Sequence, residues 1–141
     1  MSTEIFSHLN WLAILVATLA YFMLGAIWYS KAVFGTSWAK MIKLDTSDPN
    51  LKKGMGKMMF SSFLLMALTC IGLALLIVKV NFADEYMYGI KIGLMTGICY
   101  AASAVSINYV YENKPMGLYF INNGYHVLGH VIAATILIMW R

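Results

Sequence analysis

Residues 116–140 read MGLYFINNGYHVLGHVIAATILIMW, and this apolar stretch decides the fold class. It contains no Asp, Glu, Lys or Arg, and it exceeds the roughly 20 residues that an α-helix needs to cross a bilayer. Lipid offers no hydrogen-bond partners, so a spanning segment satisfies its backbone as a helix or within a closed barrel. The stretch therefore predicts a transmembrane helix.

Three further segments of similar length and apolarity precede it, at residues 9–29, 58–78 and 86–109. The whole chain is 61% apolar and 11% charged, against about 45–50% and about 25% in soluble domains. Tyrosine and tryptophan residues cluster near the segment ends, where such rings favour the headgroup zone. We therefore predict an all-α fold, a bundle of four transmembrane helices that makes residues 1–141 a single membrane domain.

The first connection, residues 31–57, is the longest, and it contains an amphipathic pattern. Phe34, Trp38, Met41 and Ile42 follow one another at helical spacing, with lysines between them. This spacing is typical of a short helix that lies in the membrane interface. An ordinary solvated loop is the alternative.

Lysines are distributed unevenly between the two ends of the predicted bundle. The first and third connections hold Lys31, Lys40, Lys43, Lys52, Lys53, Lys57 and Lys114. The opposite side holds Lys79, Lys91 and Arg141. Because cytoplasmic loops are enriched in lysine and arginine, we expect loop 31–57 in the cytoplasm and both termini outside. The net charge of +4 indicates contact with lipid headgroups rather than with nucleic acid, since no basic stripe alternates with exposed aromatics.

Polar residues recur along one face of the fourth segment. Asn122, His126 and His130 are spaced four residues apart, so they form one stripe on a helix. Polar side chains at mid-membrane depth are costly against lipid, so we expect this stripe to face the bundle interior. The two histidines could bind a metal, serve a haem or a proton relay, or contact a substrate. The simplest interpretation is that both are neutral and hydrogen-bond between helices.

Small residues recur along the third segment in two consecutive sets. Gly89 and Gly93 form a G-x-x-x-G pair that Gly97 extends, a pattern that serves helix packing within one chain or between two chains. Small or hydroxyl-bearing residues also follow at three- and four-residue steps: Thr96, Cys99, Ser103 and Ser106. We expect this second set to form a packing seam as well.

A candidate site follows from the residues that are expected near the cytoplasmic half of the bundle. Its members are Trp28, Tyr29, Asn108, Asn122, His126 and His130. Aromatic walls with a few polar groups are typical of a pocket for a small molecule or lipid headgroup, although the same residues could form an interhelix polar site. No carboxylate or thiolate is placed to complete a metal site, and no Ser-His-Asp set is present. We therefore expect no metal, no cofactor and no catalytic residue.

Two short motifs connect the chain with a known family. Residues 25–30 read GAIWYS and residues 121–126 read INNGYH. With these G-x-x-W-Y-S and I-N-x-G-Y-H motifs, the sequence resembles an uncharacterised bacterial family of small four-helix integral membrane proteins, a domain of unknown function. The resemblance implies a multi-pass protein of the bacterial cytoplasmic (inner) membrane, and it implies no reaction.

Two functions without catalysis are compatible with these features. No charged residue lies at the centre of a segment to couple ion movement, and four helices are few to enclose a wide path. We therefore predict a non-enzymatic interaction protein or accessory subunit of a membrane assembly, in contact with lipids and with other subunits or a second copy of itself. The alternative is a small carrier or channel for a neutral or lipidic solute, acting as a dimer.

Overall fold

The computed structural model describes residues 3–81 and 85–140, and every regular element within these ranges is helical. The helices are α1 (Trp11–Trp28), α2 (Gly35–Met41), α3 (Met55–Val80), α4 (Tyr86–Tyr111) and α5 (Met116–Met139), with 3-10 helices at Thr3–His8 and Pro49–Lys52. The third long helix, α4, runs continuously through a π-helical segment, Gly97–Ala102. The prediction of an all-α fold is confirmed.

Three of the long helices, α1, α3 and α4, are long and apolar enough to cross a membrane. The fourth, α5, has 24 residues but is not among them, and it carries the polar stripe predicted from the sequence. The four predicted segments coincide with the four long helices to within three residues at each end, the largest difference being residue 58 against Met55.

The short helix α2 lies where the amphipathic pattern of the first connection predicts a helix. The ring of Trp38 packs edge-on against Tyr29, with centroids 5.5 Å apart, and Phe34 stacks on Trp28 at 4.7 Å. The side chain of Met41 lies against Gly117 at the start of α5. The connection is thus folded back onto the ends of α1 and α5 by its large apolar residues.

Helix α5 is the central element, because it contacts α1, α3 and α4. Helix α3 packs mainly against α1, whereas α4 packs mainly against α5. The largest fully buried side chains lie where these helices meet: Tyr21, Ile77, Leu118, Ile138, Thr18 and Cys70. At one end, Asn10 caps α1 by accepting from the Ala13 amide at 3.0 Å, and its own amide donates to the Trp140 carbonyl at 3.1 Å.

Glycine allows α4 to approach the backbone of α5. A Cβ atom added at Gly93 would overlap the backbone of Val131, and one at Gly97 would lie 2.8 Å from the Cα of Val127. Gly89 makes an equally close approach to α5. The G-x-x-x-G pattern therefore packs two helices of the same chain.

The second predicted seam on α4 is wrong in its middle part. Thr96 is buried as expected, but Cys99 and Ser103 are exposed, and the Ser103 hydroxyl donates to the Cys99 carbonyl at 2.6 Å. Of the two serines in this predicted seam, only Ser106 contacts α5, by accepting a hydrogen bond from the Asn123 amide. The reason is the π-helical segment Gly97–Ala102, since a wider turn changes which residues face the neighbouring helix.

Candidate functional site

A cleft opens between α3 and α4, with α1 and α5 forming its floor. It consists of two adjoining cavities of about 510 and 770 Å³. Both are lined by Ser62 and Met66 of α3, Val105 of α4, and Tyr125 and His126 of α5. We call the two cavities together the lateral cleft.

The walls of the lateral cleft are apolar, and its mouth is open. Four methionines line its α3 side: Met55, Met58, Met59 and Met66. Leu65 and Tyr100, on opposite walls, are 65% and 68% exposed. None of the described residues that line the cleft is Asp, Glu, Lys or Arg. An occupant would therefore enter between α3 and α4 and meet an uncharged surface.

One hydrogen-bond chain crosses the floor of the larger cavity. The Tyr29 hydroxyl of α1 donates to Asn122 Oδ1 at 2.7 Å, and the Asn122 amide donates to the Tyr109 hydroxyl of α4. All three side chains line the cavity, together with Trp38 of α2. The Asn122 amide thus joins α1, α4 and α5 at the base of the cleft.

A second polar group lies one turn deeper along α5. The Tyr21 hydroxyl is 2.9 Å from His126 Nδ1, and His130 Nδ1 is 2.8 Å from the His126 carbonyl oxygen. The Tyr21 ring lies directly against Gly129, because a Cβ atom there would overlap it, and it tilts against Tyr125 with centroids 5.4 Å apart. Packing therefore holds the Tyr21 hydroxyl next to both imidazoles.

With this geometry established, comparison with known proteins identifies a family. A family profile described as "Protein of unknown function (DUF1761)" matches residues 12–138. The chain belongs to the DUF1761 family. Neither the curated proteins nor the solved structures contain a match to it. The family relationship covers all four long helices and both short motifs, and it assigns no activity.

In this DUF1761 chain, four of the six predicted site residues meet in the lateral cleft. Tyr29, Asn122, His126 and His130 all line it. Trp28 lies behind the floor, where its indole donates to the Ile121 carbonyl at 2.9 Å and its ring faces Gly124. Asn108 is exposed on α4 and lines neither cavity.

The DUF1761 cleft contains residues that sequence reasoning left out of the site. From the sequence, Tyr109 is one of several aromatics near the segment ends and Tyr125 flanks the polar stripe, and neither pattern connects Met66 or Ser62 with the histidines. Tyr125 lies beside Gly25 of α1, since a Cβ atom there would be 3.1 Å from the Tyr125 hydroxyl oxygen, and no spacing within one helix signals this contact between two helices.

In the described part of the chain, the two histidines have no third partner for a metal. Within residues 3–81 and 85–140, no group of three or more His, Cys, Asp or Glu residues is close enough to hold an ion. The exposed Cys99 and the buried Cys70 are both free thiols. What the cleft offers chemically is a set of neutral hydrogen-bonding groups surrounded by aromatic rings and thioethers.

Proposed function

We propose that this chain is a membrane protein of four spans that binds a small, uncharged, lipid-soluble molecule in the lateral cleft. The observation that supports this most strongly is the cleft itself, which combines apolar walls, an open side and a floor of neutral polar groups. Pockets for small molecules typically have this composition and volumes of about 300–1,000 Å³. The proposed activity is binding or transfer of the molecule, without a chemical reaction.

The fourth span is α5, and its position explains its polar composition. A helix of 24 residues rises about 36 Å, at about 1.5 Å per residue, which is enough to cross a hydrocarbon core. Its polar side chains Asn122, Asn123 and His130 hydrogen-bond within the bundle, and α5 contacts three other helices. Polar groups that are shielded and paired in this way are tolerated at membrane depth.

The proposed orientation places the larger cavity near the cytoplasm. Its lining includes the end of α1, the start of α3 and helix α2, which all adjoin the lysine-rich connection 31–57. By the preference of lysine for the cytoplasmic side, this end faces inward and both termini lie outside. The membrane in question is the bacterial inner membrane that the family resemblance implies.

This proposal favours the carrier hypothesis over the accessory subunit predicted first. Large apolar residues are exposed on α3, such as Leu65 and Leu68. Contact with lipid explains them as well as contact with another subunit does, so they favour neither role. The cleft, in contrast, is a feature that the carrier hypothesis uses and the accessory-subunit hypothesis does not. A role in a larger assembly, or as a dimer, stays a prediction.

Mass spectrometry of the intact protein from mild detergent tests the proposal. The unaltered chain should retain a bound molecule of lipid size that extraction and fragmentation identify as uncharged. Ser62→Phe should lose it, because Ser62 lines both cavities and a phenyl ring would fill the space between them. Leu64→Phe is the matched control, since Leu64 is 51% exposed on the same helix and lines neither cavity.

Two results would contradict the proposal. One is that the unaltered chain carries no bound molecule, or that Ser62→Phe and Leu64→Phe carry the same amount. The other is recovery of a stoichiometric larger protein partner whose removal leaves the cleft empty, which would favour the accessory subunit.

A further inference from the structure

The two imidazoles in the lateral cleft have opposite hydrogen-bonding roles. A backbone carbonyl group determines the role of His130. His130 Nδ1 lies 2.8 Å from the His126 carbonyl oxygen, which can only accept a hydrogen bond. His130 Nδ1 must therefore carry a proton. No carboxylate faces either ring among the residues that line the cleft, so each imidazole is neutral and has one ring proton. His130 Nε2 is consequently a bare acceptor.

The role of His126 follows from that of His130. The Tyr21 hydroxyl lies 2.9 Å from His126 Nδ1 and 3.4 Å from His130 Nδ1. Because His130 Nδ1 already carries a proton, only His126 Nδ1 can accept from the hydroxyl. We assign the Tyr21 hydroxyl as the donor to His126 Nδ1, because this arrangement pairs the hydroxyl hydrogen, and it places the proton of His126 on Nε2. His126 Nε2 is a donor.

The Nε2 atoms of both imidazoles are accessible, and both rings belong to residues that line the smaller cavity. His126 and His130 line this cavity of about 510 Å³, and neither Nε2 has a hydrogen-bond partner among the described residues. In the described part of the chain, the one fully buried side-chain nitrogen or oxygen atom without a partner is Asn123 Oδ1. The two Nε2 atoms are thus accessible and have no partner among the described residues, so a ligand in this cavity could hydrogen-bond to both.

We propose that the lateral cleft is selective for a lipidic alcohol, whose hydroxyl group binds both imidazoles at once. This inference rests on the proposed function and specifies its ligand. His126 Nε2–H donates to the hydroxyl oxygen, and the hydroxyl hydrogen is donated to His130 Nε2. Side chains four residues apart on a helix are neighbours, with Cβ atoms about 5–6 Å apart, so a single hydroxyl group placed between the two rings can reach both.

Ethers, esters, ketones and carboxylates satisfy at most half of this arrangement. An ether, an ester or a ketone accepts from His126 but cannot donate to His130, and a carboxylate also brings a charge into an uncharged cavity. The apolar part of the ligand has space along Leu65, Met66 and Val105, where the smaller cavity joins the larger one. A long-chain alcohol, an isoprenoid alcohol and a glycerolipid with a free hydroxyl share the required chemistry.

Tyr21 acts in this site as a positioning residue. Its hydroxyl fixes the proton of His126 on Nε2, and Gly129 provides the space for its ring. Without the hydroxyl, the His126 proton can move to Nδ1, and His126 then presents an acceptor beside that of His130. The loss of Tyr21 should therefore change what the cleft prefers, in addition to any effect on stability.

A matched series of amphiphiles tests the inference on the unaltered chain in lipid nanodiscs. The series consists of 1-dodecanol, its methyl ether and dodecanoate, each used to displace a fluorescent long-chain alcohol. The alcohol should bind about tenfold more tightly than the ether, the value of one additional good hydrogen bond. Dodecanoate should bind more weakly than the alcohol. An isoprenoid alcohol and a diacylglycerol then distinguish the biological sources.

Three variants assign the preference to the histidine pair. His130→Phe and Tyr21→Phe should each reduce the alcohol-to-ether ratio towards one. Thr69→Val is the control and should keep the ratio, because Thr69 lines the same cavity but donates its hydroxyl to the Leu65 carbonyl of its own helix at 3.1 Å. The result on the unaltered chain stands even where a variant does not fold.

The outcomes separate this inference from the proposed function. Equal binding of the alcohol and the ether by the unaltered chain would overturn the selectivity and leave the cleft as a site for neutral lipids. Tighter binding of dodecanoate would overturn it as well. Failure of every amphiphile to displace the probe would overturn both.

Discussion

The two halves of the α4–α5 pair are built in opposite ways. In the closed half, formed by residues 86–97 and 127–135, three glycines bring α4 against the backbone of α5. In the open half, formed by residues 98–111 and 116–126, the helices are joined by side chains instead. There the Asn123 amide donates to Ser106 Oγ at 2.7 Å, and the Asn122 amide donates to the Tyr109 hydroxyl.

The difference shows how one helix pair can be tightly packed at one end and line a cavity at the other. Backbone contact at glycine leaves no room for a ligand between α4 and α5, and it fixes these two helices rigidly over the closed half, although His130 of this half lines the cleft on the side that faces α3. The π-helical segment Gly97–Ala102 ends this contact and turns Tyr100 and Ala101 towards α3. Beyond it, longer polar side chains join α4 to α5, and Val105 and Tyr109 of α4 line the cleft that opens towards α3.

Among the replacements that test this comparison, that of Gly93 in the closed half should change the free energy of unfolding most. A methyl group at Gly93 would overlap the Val131 backbone, so Gly93→Ala should lower the free energy of unfolding by about 2–3 kcal/mol. Gly72→Ala is the matched control, because a Cβ atom there has nothing within 4 Å. That variant should be more stable by about 0.5–1 kcal/mol, the helix preference for alanine over glycine. Unfolding by SDS in mild detergent measures both values, and similar values for the two would refute close backbone packing in the closed half.

Replacing Asn122 should have an intermediate effect, located in the open half. Asn122→Leu removes the link between Tyr29 and Tyr109 and should cost about 1–1.7 kcal/mol, the upper part of the range for interhelical hydrogen bonds in membranes. Asn108→Leu serves as the control, since Asn108 is exposed on α4, and its effect should stay within about 0.5 kcal/mol. If Asn108→Leu is the more damaging of the two in the same SDS titration, the network described here does not hold the open half.

The smallest effect should distinguish two serines of α4. Ser106→Ala removes the partner of the Asn123 amide and should lower stability by about 0.6 kcal/mol. Ser103→Ala should be close to neutral, because the Ser103 hydroxyl donates only to carbonyls of its own helix. The contrast between the two serines tests where the π-helical segment lies, since in a regular α-helix both serines would belong to the same packing seam. A larger loss for Ser103→Ala would indicate that the segment is regular in solution.

The helices could be predicted from the sequence, because apolar runs of sufficient length are a local property. The inward position of Asn122 and His126 could also be predicted, since polar residues spaced four apart share one helix face. The exposure of Cys99 could not, because the π-helical turn before Ser103 leaves no compositional mark. The cleft itself depends on which helices α3 and α4 pack against, and that is determined by contacts between residues distant in the sequence.

Asn108 illustrates the limit of the site prediction. Its polarity and its place near the end of α4 suggested convergence with Asn122, but the next residue, Tyr109, is the one that reaches α5. One residue along a helix is a rotation of about 100°, so a small shift in register exchanges the inward and outward positions.

The most direct test of the central claim is photocross-linking in native membranes with a benzophenone side chain at position 105 or position 107. Val105 lines both cavities of the lateral cleft, whereas Ile107 is 58% exposed on the same helix and lines neither. The account predicts a discrete uncharged lipid on position 105 and phospholipids in their bulk proportions on position 107. The same distribution of bulk phospholipids at both positions would contradict it, since the cleft would then be part of the ordinary lipid-facing surface.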